Sequence, residues 1–120
     1  MNIEKFTVSN DPGIYEAWPD LAQTGSGKLV CVFTECSHHN DRSYTRIMLA
    51  ESVDEGRTWS PKRSLTEGTK GLPYSYNCAR ITALRDGRLA VIVDRVPATG
   101  EKDNAKAVNV MYFSSDEGAT

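Results

Sequence analysis

The stretch Ser52-Val53-Asp54-Glu55-Gly56-Arg57-Thr58-Trp59 has the form Ser-x-Asp-x-Gly-x-Thr-Trp, and it returns as Ser114-Ser115-Asp116-Glu117-Gly118-Ala119-Thr120, where the next position would be the matching Trp. Each residue type has a task in a tight β-hairpin. The Asp carboxylate accepts bonds from backbone N–H groups just downstream and closes an Asx-type turn. The Gly supplies the positive φ that such a turn requires. Thr58 and Trp59 are expected to re-enter a strand, with the Trp ring burying a large area against whatever lies beside the hairpin.

A feature that recurs at a fixed period of tens of residues decides the architecture of a chain. Asp116 follows Asp54 by 62 positions, and Gly87-Arg88-Leu89-Ala90-Val91-Ile92-Val93 follows the similar Gly27-Lys28-Leu29-Val30-Cys31-Val32-Phe33 by 60. Two features in one order at nearly one spacing define a unit of roughly 60 residues, longer than the common propeller repeats of about 40–50 but the same kind of object. The small difference in spacing belongs in a loop.

The turn resembles the Asp-box, or bacterial neuraminidase repeat, which marks the blades of sialidase-like β-propellers. Ser52, Asp54, Gly56, Thr58 and Trp59 match it in the first copy, and Ser114, Asp116, Gly118 and Thr120 in the second. The two units cover nearly the whole chain. Asp-boxes also occur in other glycosidases and in non-catalytic propellers, so the box speaks for fold more than for chemistry. The resemblance implies an all-β chain of two consecutive four-stranded antiparallel blades from a six-bladed sialidase-like propeller, the second blade incomplete.

The strands are read from turn signals and patterning. Residues 1–16 give a leading strand, Ile3 to Val8, and the turn signal Asn10-Asp11-Pro12-Gly13. Residues 17–63 make the first blade: Trp18 to Gln23, then Lys28 to Thr34 with its unbroken apolar run, a polar loop from Glu35 to Ser43, Tyr44 to Glu51, and Thr58 to Arg63 after the turn. An apolar run that short suits a strand buried on both faces. Residues 64–76 form a linker. Residues 77–120 repeat the order with Asn77 to Leu84, Arg88 to Val93, a loop from Asp94 to Ala105, and Lys106 to Phe113, without a fourth strand. Two blades leave exposed faces at each end of an open arc, so the chain reads as a fragment of a longer ring. Several short chains closing one ring, or a stand-alone two-blade fold, are the alternatives.

The composition excludes some partners. With 14 Lys+Arg against 16 Asp+Glu, a net charge of −2 and 39% hydrophobic residues, the balance is that of an ordinary soluble domain. Nothing is basic enough to imply nucleic acid, and no apolar run approaches membrane length. Met1 to Phe6 lacks the apolar core of a signal peptide, which leaves a cytoplasmic location as the default. Cys31, Cys36 and Cys78 make neither a disulfide framework nor a CxxC pair, which fits a reducing compartment. No cofactor is implied.

Successive hairpins of a meander point to opposite ends, so both Asp-box turns share one rim. The opposite rim is expected to carry Glu35, His38, His39, Asp41, Arg42, Tyr74, Tyr76, Asp94 and Arg95. His38 and His39 are neighbours whose rings point to opposite faces in extended chain, and no metal site is expected from them. Arg80, on the innermost strand of the second blade, can hold a carboxylate bidentately, or it can pair with Asp20 one blade earlier. Tyr74 and Tyr76 can stack on a sugar or serve packing alone.

In sialidases a loop of the first blade carries the Asp that acts as general acid/base, and the resemblance implies that role for Asp41, with Arg80, Glu35, His38, His39, Arg42 and Tyr76 as substrate-binding residues. Such a carboxylate protonates the leaving glycosidic oxygen and later deprotonates water. The alternative for Asp41 is a solvated residue capping a turn. One departure stands out: sialidases open the first blade with an aromatic residue, Arg, Ile and Pro, whereas this chain has Tyr15-Glu16-Ala17-Trp18-Pro19. Either the substrate is not sialic acid or another Arg substitutes. The expected function is therefore the N-terminal part of a sialidase-like glycoside hydrolase that removes terminal sugars from a glycan, with sialic acid one candidate. The alternative is a non-catalytic Asp-box propeller that binds a glycan or protein.

Overall fold

The structure is a computed structural model that describes residues 1–98 and 106–120. Among the described residues seven strands form in chain order: β1 (Tyr15–Gln23), β2 (Leu29–His38), β3 (Asp41–Ser52), β4 (Arg63–Ser64), β5 (Tyr74–Ala83), β6 (Leu89–Pro97) and β7 (Val108–Ser114). They build two antiparallel sheets in the orders β1-β2-β3-β4 and β5-β6-β7. No α-helix occurs among the described residues.

The apolar run of β2 splits between two cores, because successive strand residues face opposite sides. Val30 and Val32, with Ala22, Ile47 and Leu49, meet Tyr76, Ala79, Ile81, Leu89, Val91 and Val93 of the second sheet. Fully burying a side chain such as Ile47, Val30 or Val93 contributes roughly 1.5–3 kcal/mol, which makes this inter-sheet layer the main source of stability. Cys31 and Phe33 point the other way and join Met48 and Ala50 on the outer face of the first sheet, where Val8 and Trp59 cover them. Among the described residues nothing equivalent covers the second sheet. Ile92, Met111 and Phe113 lie 39%, 51% and 53% exposed on its outer face.

Several strand boundaries differ from the sequence reading. Ile3 to Val8 forms no strand: Ile3 and Phe6 are exposed, and only Val8 touches a core. Alternating polarity makes a strand only where an edge offers backbone partners. The expected loop from Glu35 to Ser43 is mostly ladder, since β2 and β3 stay paired from Leu29↔Ser52 to His38↔Asp41 and leave a turn at His39 and Asn40. Opposite charges stand across that ladder at Glu35 and Arg46, a favourable cross-strand pair. Asp94 to Pro97 likewise continues β6, and the rest of that expected loop, 99–105, lies outside the described residues.

The expected strand from Thr58 to Arg63 shrinks to Arg63–Ser64. Pro61 has no N–H to give a ladder, and the Ser60 hydroxyl accepts the Glu51 N–H at 3.0 Å instead. Beyond β4 two threonine side chains complete the edge of β3: Thr66 Oγ1 accepts from the Ile47 N–H at 3.0 Å and Thr69 Oγ1 from the Thr45 N–H at 2.8 Å. Thr45 Oγ1 in turn accepts the Tyr76 N–H at 2.7 Å, which carries the edge across to the second sheet. Buried backbone groups are thus satisfied without a full fourth strand.

Candidate functional site

The rim of the two repeated turns has one hydrogen-bond network used twice. Ser52 Oγ donates to Asp54 Oδ1 at 2.8 Å and accepts the Gly56 N–H at 2.9 Å, while Asp54 accepts the Thr58 N–H at 2.9 Å and the Thr58 hydroxyl at 2.6 Å. Ser114, Asp116, Gly118 and Thr120 repeat every bond. Positive φ extends to the residue before each Gly, with Glu55 at 62° and Gly56 at 85°, then Glu117 at 55° and Gly118 at 88°. Two successive left-handed residues closed by Arg57 N–H to Asp54 O are the geometry of a type I′ hairpin turn. The Thr58 bonds, then the Ser52 bond, hold Asp54 down at about 2, and Ser114 and Thr120 hold Asp116 well below the usual carboxylate range. Both are ionised acceptors. Trp59 donates Nε1–H to Gly56 O at 2.9 Å and lays its ring on the outer core.

The opposite rim carries the β2–β3 hairpin tip, and around it gathers a cluster of rings. Tyr15 lies edge-on to Trp18 at 6.0 Å and to His39 at 5.4 Å, with its Oη hydrogen-bonded to His39 Nδ1 at 3.1 Å. His39 stacks on Trp18 at 6.0 Å, and His38 lies 6.5 Å from Tyr15. The two histidines therefore share one cluster and do not face opposite sides, because the chain reverses at His39 and Asn40. The Arg42 guanidinium sits 4.4 Å above the Trp18 ring and donates to Asn77 Oδ1 of the second sheet. A cation over an indole face is worth about 0.5–2 kcal/mol depending on desolvation.

Trp18 holds this cluster from an unusual backbone. Its φ is 53°, in the left-handed region, and it sits in the break of the β1–β2 ladder between Ala17 and Asp20. For a bulky residue before proline this conformation costs on the order of 1–3 kcal/mol. From this backbone the indole lies among the side chains of the tip. Trp18, Tyr15 and Asn77 were not singled out as site residues by sequence; the available signal was the Trp18-Pro19 pair inside a strand that otherwise pairs with residues 29–36.

Asp41 opens β3 at the tip and is exposed. Its Oδ1 accepts the Ser43 N–H at 2.9 Å, and Ser43 together with nearby His38 lowers its pKa, so it stands as a carboxylate. Glu35 is elsewhere and already engaged: it is 6% exposed on the outer face of the first sheet, where it accepts the Tyr44 hydroxyl at 2.5 Å and the Lys62 ammonium at 2.9 Å. Lys62 also meets Glu16 at 2.7 Å and Asp11 at 3.0 Å. Burial works against that ammonium, but the three carboxylates outweigh it and its pKa is raised. Burial and Glu35 push Tyr44 up to about 12.

Arg80 is exposed and donates to the neighbouring Ala79 carbonyl at 3.0 Å. It does not pair with Asp20, whose Oδ2 accepts the Ile81 N–H at 2.8 Å and so ties β1 to β5. Tyr76 is 3% exposed within the inter-sheet core and presents no ring face to a ligand; with Tyr74 it donates to Glu67 Oε1, at 2.9 and 2.7 Å. Arg95 lies 4.9 Å over the Tyr74 ring. Asp94 is an exposed residue of β6. Among the described residues no group of three His, Cys, Asp or Glu is arranged to hold a metal.

The fold resembles solved structures. The chain aligns with a sialidase, Hadza microbial sialidase Hz136, at a TM-score of 0.67 and 21% identity, covering 90% of this chain and 24% of that one. It also aligns with a protein of unknown function from Dyadobacter fermentans, at a TM-score of 0.69 and 18% identity, covering 96% of this chain and 37% of that one. The chain thus spans about a quarter and about a third of those two lengths, and the likeness is one of fold. No family model matches it, and no curated protein does.

Proposed function

We propose that this chain is part of a sialidase-like β-propeller whose hairpin-tip rim binds a sugar, and that Asp41 serves there as general acid/base in the cleavage of a terminal glycosidic bond. The observation that carries the reading is the ring cluster of Tyr15, Trp18 and His39 under Arg42, raised on a strained Trp18 beside Asp41. Rings offer the faces on which the C–H side of a sugar stacks, and the guanidinium offers donors to its oxygens. In the free chain Asp41 is ready to deprotonate water. A sugar seated on the tip would displace water from the carboxylate and raise its pKa toward the protonated form that a leaving oxygen needs.

The second reading, a non-catalytic glycan- or protein-binding propeller, draws on the absence of Arg at Glu16-Ala17 and on the Ser43 bonds that keep Asp41 ionised. Titrating a Trp59→Phe chain with neutral and acidic monosaccharides separates sugar binding from its absence, because Trp18 is then the sole indole. Saturable change in Trp18 emission is expected. A flat titration with every sugar would refute a sugar-binding tip, while saturable binding without hydrolysis of any aryl glycoside by a longer protein carrying this segment would favour the non-catalytic reading.

A further inference from the structure

The two sheets break their first ladders at matching places. β1 leaves its pairing with β2 between Ala17 and Asp20, and β5 leaves its pairing with β6 between Tyr76 and Ala79. Trp18 and Pro19 lie in one break, Asn77 and Cys78 in the other. A bulge re-aims a side chain, and one side chain from each break meets the same guanidinium: Arg42 of β3 lies 4.4 Å over the Trp18 ring and donates to Asn77 Oδ1. The main chain of Asn77 is itself tied to the first sheet, because its carbonyl accepts the hydroxyl of the fully buried Thr34 at 3.2 Å. Through these contacts β2 and β3 converge on one residue of the second sheet.

We infer that Asn77 is a positioning residue of the tip, resting on the sugar-binding reading above for its ligand: from the second sheet it fixes Arg42 over Trp18 and leaves the rest of the guanidinium for a sugar oxygen. A guanidinium carries only donors, so the amide oxygen of Asn77 is the atom that faces it. Such a charge-assisted bond is among the stronger ones. Among the described residues Arg42 has no second hydrogen-bond partner, and none of its nitrogens is buried without one, so its other donors reach solvent. A long side chain immobilised before the ligand arrives spares binding the entropy of ordering it. Asp41 is held separately, by the Ser43 N–H. Asn77 therefore acts on affinity and not on proton transfer, and the tip is complete only with the second unit beside the first.

The test compares Asn77→Leu, which keeps the volume without the acceptor, with Asn77→Asp, which keeps the acceptor. Asn77→Ser, too short to reach the guanidinium, gives the same reading should leucine prevent folding. In the parent the Arg42 side-chain protons are shifted by the ring current of Trp18. In the Leu variant they are expected to move to the positions of a solvated arginine, and in the Asp variant to stay. Galactose and glucuronate are then titrated in the Trp59→Phe background, where Trp18 reports alone. The Kd of whichever sugar the parent binds is expected to rise about five- to tenfold in the Leu variant. Arg42 resonances that stay in place in both the Leu and Ser variants would overturn the positioning role, and so would a released guanidinium with unchanged sugar affinity. A parent that binds neither sugar sinks the sugar-binding reading instead, and the Arg42 resonances alone then decide the role of Asn77.

Discussion

The rim of the repeated turns and the rim of the hairpin tip are built from the same two sheets, but among the described residues one is the same in both units and the other is not. At the first, Asp54 and Asp116 accept the same bonds from Thr58 and Thr120 with hydroxyl distances of 2.6 Å in each. At the second, the first sheet carries Tyr15, Trp18, His38, His39 and Arg42, while the corresponding end of the second sheet carries Tyr74 under Arg95 and a buried Tyr76. A network that recurs among different neighbours answers to the turn itself. A cluster found once among the described residues, held by a residue whose own backbone is strained, is not needed to form a sheet, and local strain that persists is a pointer to function.

Lys62 joins the segment after the first turn to the charged end of β1 and β2, and its loss should have the largest effect. Lys62→Met leaves Glu16 and Glu35 without their shared cation, Glu35 being almost fully buried. A buried pair broken this way costs about 3–5 kcal/mol; with Lys62 still 20% exposed, about 2 kcal/mol is expected after discounting for screening. Urea unfolding measures it, and Lys62→Arg should restore most of it. Because the ammonium's pKa is raised on folding, its contribution is complete below the ordinary lysine value of about 10.4 and fades only as pH rises beyond it. A Met variant as stable as the parent would mean that the two rims are not coupled through Lys62.

Asp54→Asn comes next and addresses the turn rim directly. It weakens an acceptor of the Thr58 N–H and hydroxyl, so the melting temperature at neutral pH should fall by several degrees, and the same change at Asp41 should leave it unmoved. The folded pKa of Asp54 is depressed to about 2, so its stabilising contribution is present above the unfolded value of about 3.9 and disappears as pH falls through about 2. The melting gap between parent and Asp54→Asn should therefore close across that window. A gap that persists in acid would show that the turn depends on something other than the ionised carboxylate.

The same contrast explains what the sequence could tell. The turn network is local, every partner within four residues, so Ser52, Asp54, Gly56 and Thr58 could be read from spacing alone. The second left-handed residue, Glu55, could not, because Glu has no general preference for positive φ. Strand ends were hidden where side chains replaced backbone: Pro61 breaks the fourth strand, and Thr66 and Thr69 hydroxyls take over its bonds. At the tip, the residues around Asp41 come from three strands, and only the β1–β2 register and the bulge at Trp18 bring Tyr15 and Trp18 beside residues 38 to 42. Arg80 was drawn toward Asp20 by repeat arithmetic, whereas a buried backbone N–H, that of Ile81, claims the carboxylate.

Trp18→Asn is expected to change stability little. The variant loses ring contacts with Tyr15, His39 and Arg42, but Asn tolerates the left-handed region, and relief of roughly 1 kcal/mol or more of strain offsets the loss. Sugar binding, followed by perturbation of the Tyr15 and His39 ring resonances, should disappear. A variant that melts far lower while still binding would make the cluster a structural element like the turns.

The smallest effect on folding belongs to Asp41→Asn. The side chain is exposed, and an amide oxygen can still accept the Ser43 N–H that it holds. The melting temperature should stay with the parent's, and the tip should still bind sugar, since neither the rings nor Arg42 depend on this carboxylate. What changes is the supply and removal of a proton. In a longer protein that carries this segment and hydrolyses aryl glycosides, the variant should lower kcat by about 10²–10⁴-fold with a small effect on KM. The loss should shrink for substrates whose aryl leaving group is acidic enough to depart without protonation. It should also flatten the limb of the pH–rate profile that Asp41 governs, a readout that a residue merely shaping the turn would leave in place. Unchanged kcat on a poor leaving group would remove Asp41 from the chemistry and leave the tip as a binding surface alone.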